Sequence, residues 1–153
     1  MKIGKQISHN YKTDKEKLNE IYRRLKLPQG IEELYPFQLS GGMARKVLVS
    51  TAIVSDSKLI IADEPTPGMD LDSSLETLSI FKELTKENKG ILLITHDLDL
   101  AVEIADKVVV FYSGTTIEIS NSSDFKKGMS YLRHPYTKAL WNALPQNEFQ
   151  YIK

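Results

Sequence analysis

The first third of the sequence predicts two helices from the spacing of its apolar residues. The first helix carries apolar side chains three or four positions apart, at Leu18, Ile21, Tyr22 and Leu25. A capping box at residues 13–16 would begin this helix, and Pro28 and Gly30 would end it. A second helix opens at residues 40–42, with an apolar side formed by Val47, Leu48, Ala52 and Val54. The apolar residues of segment 1–12 show no clear periodic spacing.

The middle of the chain alternates short apolar runs with helical patterns. Strands are predicted at 59–62, 91–95 and 108–112, and helices at 71–87 and after Asp97. The longer helix would bury Leu75, Leu78, Phe81 and Leu84. Because the strands are continuously apolar, this β-α-β-α-β order predicts a parallel sheet covered by helices. The weaker pattern beyond Gly114 predicts a strand at 116–119, a polar turn or short helix at 121–127 and a helix at 135–143.

Composition narrows the range of partners. The 20 Lys and Arg residues balance 20 Asp and Glu residues, and this zero net charge argues weakly against a nucleic-acid partner. The absence of cysteine excludes disulfides and thiolate metal sites. No apolar run approaches the roughly 20 residues of a membrane-spanning helix. We therefore expect any link to a membrane to go through a partner.

Polar side chains that could bind a metal ion or act in catalysis follow two of the predicted strands. Asp63 and Glu64 come directly after the first strand, and His96 follows the second. Open parallel sheets bind ligands beyond the carboxyl ends of their strands. One carboxylate at such an edge can hold Mg²⁺ through water while the next faces a reacting water. The alternative is that Asp63 caps a helix or turn and His96 ends a strand.

The Ser40-Gly41-Gly42 segment is a second candidate, because it opens a predicted helix. A helix N-terminus offers unpaired N–H groups and the positive end of the helix dipole. Two glycines let an anion approach the backbone closely. Taken alone, the segment is more simply an N-cap serine followed by two turn glycines.

Four motifs follow one another along the chain in an order that is typical of one protein family. Leu39-Ser40-Gly41-Gly42-Met43 comes first, then the run from Leu59 to Thr66, then Pro67-Gly68-Met69-Asp70, and finally His96. This set resembles the ABC transporter ATPase family, in which the signature, Walker B with the catalytic glutamate, the D-loop and the switch histidine follow in that order. Methionine in place of the signature glutamine is similar to the dipeptide, oligopeptide and nickel importers.

Three further segments are similar to the same branch: residues 3–7, 35–38 and 134–140. The resemblance therefore covers nearly the whole chain. Two departures stand out. The D-loop of the wider family is more often Ser-Ala-Leu-Asp, although Asp70 is retained. The two positions after Met43 also differ from the commonest form of the branch.

The resemblance implies an α/β, P-loop NTPase-like ABC ATPase domain, with a parallel sheet flanked by helices and a helical subdomain. In this family two ATPase domains meet head to tail with ATP between them. The residues that would touch the γ-phosphate of the partner's ATP are Ser40, Gly41, Gly42 and Met43. Asp63 would hold Mg²⁺ through water, and Glu64 would orient or deprotonate the attacking water. His96 would contact the γ-phosphate, and Asp70 would link the two sites.

The sequence lacks a Walker A loop, which requires the pattern G-x-x-x-x-G-K-[ST]. No two of its glycines stand five positions apart. We therefore expect an incomplete domain that binds ATP poorly alone. Its parts would be a helical signature subdomain at about 12–54, a Walker B part at about 55–120 and the start of a C-terminal extension at about 121–153.

The resemblance implies an ATP-hydrolysing subunit of an importer for peptides or nickel, peripheral on the cytoplasmic face of the cell membrane. Its partners would be a second ABC ATPase subunit, identical or different, and transmembrane permease subunits. An alternative is a non-catalytic module or gene remnant that offers its signature face to a Walker A-bearing partner. A third reading, a DNA-repair type of ABC ATPase, is disfavoured by residues 134–140 and by the neutral charge.

Overall fold

A computed structural model of the chain describes residues 1–11, 13, 15–55 and 57–147. Asp14, and with it part of the predicted capping box, lies outside the described residues. The chain divides into two compact units, the first ending at Ile94 and the second beginning at Thr95. The three-part division expected from the sequence stays a prediction.

The first unit contains four helices and a two-stranded parallel sheet among its described residues. The helices are α1 (Ile3–Asn10), α2 (Lys15–Arg24), α3 (Gly41–Val54) and α4 (Leu71–Lys86), and the strands are β1 (Leu59–Asp63) and β2 (Gly90–Ile94). The strands pair in register from Leu59 opposite Gly90 to Asp63 opposite Ile94. Short 3-10 turns at Ile31–Glu33 and Pro36–Gln38 join α2 to α3. Helices α2, α3 and α4 and both strands confirm the sequence predictions.

Helix α1 lies in the first residues, where the sequence shows no clear apolar period and no element was predicted. Its only buried side chains, Ile3 and Ile7, lie one turn apart, and two apolar residues are too few to produce a periodic signal. The backbone N–H of Ile3 donates to Leu34 O at 2.9 Å. A Cβ on Gly4 would lie 2.8 Å from Glu32 Cβ and 3.1 Å from Glu32 O. The absence of a side chain at Gly4 is therefore what lets α1 pack against the 31–33 turn.

Gly4→Ala is expected to destabilise the chain by about 1–3 kcal/mol, because the new methyl carbon would lie 2.8 Å from Glu32 Cβ, closer than two carbon atoms can approach without a shift. Urea unfolding measures the loss. Gly90→Ala is the matched control, because a Cβ there meets the nearest atom at 3.5 Å, an ordinary contact. Equal effects of the two substitutions would contradict the proposed close packing of α1.

The sheet of the first unit is covered on one face only. Ile60 and Ala62 are buried, whereas Leu59 and Ile61 are about three-fifths exposed. Helix α4 packs against β2. The predicted covering of the sheet by helices therefore holds for only one face of β1 among the described residues.

The apolar side of helix α3 also differs from the prediction. Leu48 was predicted to lie on that side but is 62% exposed. The buried residues are Val47, Val49, Ser50, Ile53 and Val54. With about 100° between successive residues, these side chains share one side of the helix and Leu48 points away from it.

The second unit is built on a β-hairpin. Strands β3 (Lys107–Tyr112) and β4 (Thr115–Asn121) pair antiparallel. Ser113 and Gly114 form the two-residue connection, with φ of 48° and 81°. Two positive φ values are the mark of the type I′ turn, which closes antiparallel hairpins. The prediction that the 108–112 strand extends the parallel sheet was therefore wrong, whereas the strand predicted at 116–119 is confirmed.

The described part of the second unit, which ends at residue 147, also contains the α-helices α5 (Leu98–Ile104), α6 (Ser122–Lys127) and α7 (Pro135–Asn142). Its core residues are Val108, Val110, Phe125 and Leu132, with Val102, Leu140 and Trp141 packed against them. The Trp141 indole N–H donates to Phe125 O at 2.8 Å and so joins α7 to α6. In the part of the chain that the structure describes, no helix has the length and apolarity needed to cross a membrane.

Glu118 of β4 is the only buried carboxylate among the described residues. It accepts hydrogen bonds from the backbone N–H groups of Arg133 at 2.9 Å and His134 at 2.8 Å, and from Ser120 Oγ at 2.9 Å. Burial raises the pKa of Glu118, but these donors outweigh burial and lower its pKa to about 2. The carboxylate therefore fastens the segment before α7 to the hairpin.

Candidate functional site

The signature segment forms the exposed N-terminus of α3. Ser40 is the N-cap, and its Oγ accepts from Met43 N–H at 3.2 Å. Gly41 and Gly42 are the first two helical residues rather than turn residues, and a Cβ on either would meet no atom within 4 Å. The first N–H groups of a helix have no partner within it. The segment therefore offers two N–H donors and free space to an anion.

The Walker B segment ends β1. Asp63 is the last residue of the strand and is exposed, and Glu64 follows it, half-buried. Glu64 has a φ of 46°, in the left-handed region that side-chain-bearing residues rarely adopt. Its N–H donates to Ile94 O of β2 at 2.9 Å. The direction in which the Glu64 side chain leaves the backbone is therefore set by a local bend at the carboxyl edge of the sheet.

Arg45 joins these two segments. The sequence marked its position only as a departure from the commonest form of the branch and gave it no role. Arg45 lies in the second turn of α3, and its Nη1 donates to Glu64 O at 3.0 Å. The acceptor is a backbone carbonyl, which every residue carries. No pattern of residue types could therefore have revealed this pairing.

The D-loop segment is a turn that leads into α4. Met69 N–H donates to Thr66 O at 3.1 Å, and Gly68 between them has a φ of 77°. Proline followed by glycine at the centre of a turn is the signature of type II. Asp70 then caps α4, and its carboxylate accepts from Ser73 N–H at 2.8 Å and Ser73 Oγ at 2.9 Å. These bonds lower the pKa of Asp70. The structure gives Asp70 a local role as a helix cap.

His96 lies two residues beyond β2, at the start of the second unit, and is exposed. Its neighbours begin α5: Asp97 Oδ1 accepts from Leu100 N–H at 3.0 Å, and Thr95 Oγ accepts from Asp97 N–H at 3.1 Å. The predicted cap at Asp97 is confirmed. The role of His96 toward phosphate stays a prediction.

The described residues contain no group of three or more His, Asp and Glu side chains placed to enclose a metal ion. A Mg²⁺ ion takes few protein carboxylates and keeps several of its waters. An exposed Asp63 at a strand end suits that mode of binding. The chemistry of this donor therefore fits Mg²⁺ held through water.

Comparison with known proteins agrees with these features. Residues 1–67 match the sequence profile described as ABC transporter. The chain is 39% identical over 140 residues to the dipeptide transport ATP-binding protein DppD of Escherichia coli (strain K12), an alignment that covers 90% of this chain and 42% of that protein. It is 35% identical over 159 residues to the oligopeptide transport ATP-binding protein OppD of Lactococcus lactis subsp. cremoris (strain SK11), covering 97% and 46%.

Solved structures show the same fold. The ATP-binding cassette MJ0796, in a dimeric post-hydrolysis state bound to ADP and Pi, superposes with a TM-score of 0.68 at 20% identity. The match covers 78% of this chain and 54% of that one. The predicted fold class, an α/β ABC ATPase domain, is confirmed. The chain spans less than half the length of the two curated relatives named above. It belongs to the ABC transporter ATP-binding proteins, in the dipeptide and oligopeptide branch.

Proposed function

We propose that this chain supplies the signature and Walker B parts of an ATP-hydrolysing subunit of an ABC importer. The observation that supports this most directly is the open N-terminus of α3, which Arg45 connects to the carboxyl edge of the sheet. Its cargo would be a peptide, the class named for its relatives DppD and OppD. Nickel is the alternative cargo, because the sequence motifs also resemble those of the nickel importers. Its direct partners would be a second ABC ATPase subunit, identical or different, and transmembrane permease subunits, at the cytoplasmic face of the membrane.

The phosphate contact in this proposal comes from the start of α3. The N–H groups of Gly41 and Gly42, with Ser40 and Met43, would donate to the γ-phosphate of ATP held by the second subunit. Such a site needs no charged side chain, because the helix dipole and oriented N–H groups already favour an anion.

The proposed hydrolytic chemistry belongs to the edge of the sheet. Asp63 would hold Mg²⁺ through water, and the ion would neutralise charge on the phosphates. Glu64 would accept a proton from, or orient, the attacking water. His96 would donate to the γ-phosphate, and Asp70 would link the two sites. Phosphoryl transfer depends mainly on positioning and charge stabilisation.

Gly41→Asp tests the phosphate contact. A carboxylate at the first helical position is stabilised by the helix dipole and has free space. Helix α3 is therefore expected to form in the variant. The negative charge would nevertheless repel phosphate. We expect at least about a tenfold loss of ATP-dependent binding to a Walker A-bearing ATP-binding subunit of this branch, measured by sedimentation with MgATP and with MgADP.

Ser123→Asp is the matched control, because it adds the same charge in the exposed first turn of α6. Its binding should equal that of the unchanged chain. If Gly41→Asp bound the partner subunit as well as the unchanged chain does, the phosphate contact would be refuted. ATP-dependent binding without any hydrolysis by the complex would favour the alternative of a non-catalytic module.

A further inference from the structure

The backbone of Glu64 is held from two sides. Its N–H donates to Ile94 O in β2, and its carbonyl accepts from Arg45 Nη1. Between these two bonds the residue has a φ of 46°. A residue with a side chain stays in this left-handed region only where its surroundings enforce it. Of these two hydrogen bonds, only the one from Arg45 is made by a side chain.

Arg45 also belongs to the helix that would receive phosphate. It lies four residues after Gly41, so it is about one turn from the open N-terminus of α3. A rigid helix carries a displacement of its first turn directly to its second. Any shift of α3 on binding an anion would therefore reach the Glu64 carbonyl through a single side chain.

We infer that Arg45 is a positioning residue, which couples phosphate binding at the start of α3 to the orientation of the Glu64 carboxylate. This inference rests on the proposed function, in which Glu64 acts on the attacking water. Arg45 itself touches neither phosphate nor water in this role. Its guanidinium sets the backbone bend at Glu64, and that bend sets the direction of the carboxylate.

The test uses the assembled ATPase, meaning this chain with the Walker A-bearing polypeptide that completes the nucleotide site, and MgATP as the probe. We expect Arg45→Ala to lower kcat by about tenfold or more, since small misplacements of a catalytic group cost rate steeply. KM for MgATP should stay within about twofold, because the phosphate-binding N–H groups remain. Arg45→Lys should restore much of kcat, since an ammonium can also donate to the carbonyl.

Arg24→Ala is the matched control. Arg24 is an arginine of the same unit whose guanidinium bonds the Glu83 carboxylate at 2.7 Å, away from the site. Its kcat should be unchanged. An equal fall in kcat for Arg24→Ala and Arg45→Ala, with equal losses of melting temperature, would reduce Arg45 to a stabilising role and overturn the inference.

Glu64→Gln separates failure of this inference from failure of the proposed function. If Glu64→Gln abolishes turnover but Arg45→Ala leaves kcat unchanged, Arg45 has no positioning role and the proposed function stands. If Glu64→Gln leaves turnover unchanged, the proposed function itself fails, and the inference fails with it. Should Arg45→Ala not fold, Arg45→Gln and Arg45→Lys provide the same comparison of kcat with KM.

Discussion

Glu64→Gln is expected to lower ATP turnover of the assembled ATPase by about 100-fold or more, the scale of a lost general base. Glutamine has the shape of glutamate but cannot accept a proton at neutral pH. The backbone bend at Glu64 depends on bonds to Ile94 O and from Arg45 Nη1, which involve only main-chain atoms of Glu64. The substitution should therefore leave the local geometry unchanged.

The same variant should retain ATP-dependent association with its partner subunit. The proposed phosphate contacts belong to the start of α3 and are untouched, so the ATP-bound complex should accumulate because it is no longer hydrolysed. Phosphate release measures turnover, and sedimentation with MgATP measures association. Loss of both together would indicate that Glu64 is needed for binding rather than for the chemical step.

Glu83→Gln is the control for that experiment. Glu83 is an exposed carboxylate of the same unit, paired with Arg24, so its loss should leave turnover and association unchanged. If Glu64→Gln turns over ATP at the rate of Glu83→Gln, Glu64 has no catalytic role.

Predictions from the sequence succeeded where the signal is local. A helix start needs one capping side chain, and Ser40 and Asp97 were both placed correctly, because an N-cap bonds an N–H only two or three residues away. The stripe of α4 also followed its period at Leu78, Phe81 and Leu84, which are buried, whereas Leu75, also predicted to be buried, is half-buried. These features depend on residues close together in the chain.

Features that depend on distant partners were not predictable in this way. The period of β1 marks two faces but does not say which face is covered, and Ile61 is exposed although it is as apolar as Ile60. Pairing of β3 with β4 was missed, although the Ser113-Gly114 turn carried a usable signal. Arg45 bonds a carbonyl 19 residues away. Residue types along the chain do not encode such contacts.

Glu118→Gln is expected to destabilise the chain by about 3–4 kcal/mol near neutral pH. The pKa of Glu118 falls from its ordinary 4.5 to about 2 in the folded chain. Because a change of one in pKa corresponds to about 1.4 kcal/mol, this lowering corresponds to about 3–4 kcal/mol. A glutamine would also turn an amide N–H₂ toward the N–H donors of Arg133 and His134, which leaves at least one of them without an acceptor.

The dependence on pH gives a second readout. Because the folded pKa lies below the unfolded one, the contribution of Glu118 is fully present above about pH 5. It is lost as the pH falls through 4.5 toward about 2, since protons then bind the unfolded chain more readily. The unchanged chain should therefore lose more stability between pH 5 and pH 3 than Glu118→Gln does.

Urea unfolding followed by tryptophan fluorescence measures both effects. Trp141 is the only tryptophan and packs on the core that contains Leu132, so its emission reports on the unit that holds Glu118. Glu103→Gln is the matched control, because Glu103 is an exposed carboxylate of the same unit paired with Lys126. Its substitution should change stability by less than about 1 kcal/mol. If Glu118→Gln matched Glu103→Gln at pH 7, the buried carboxylate would not be what holds the start of α7 to the hairpin.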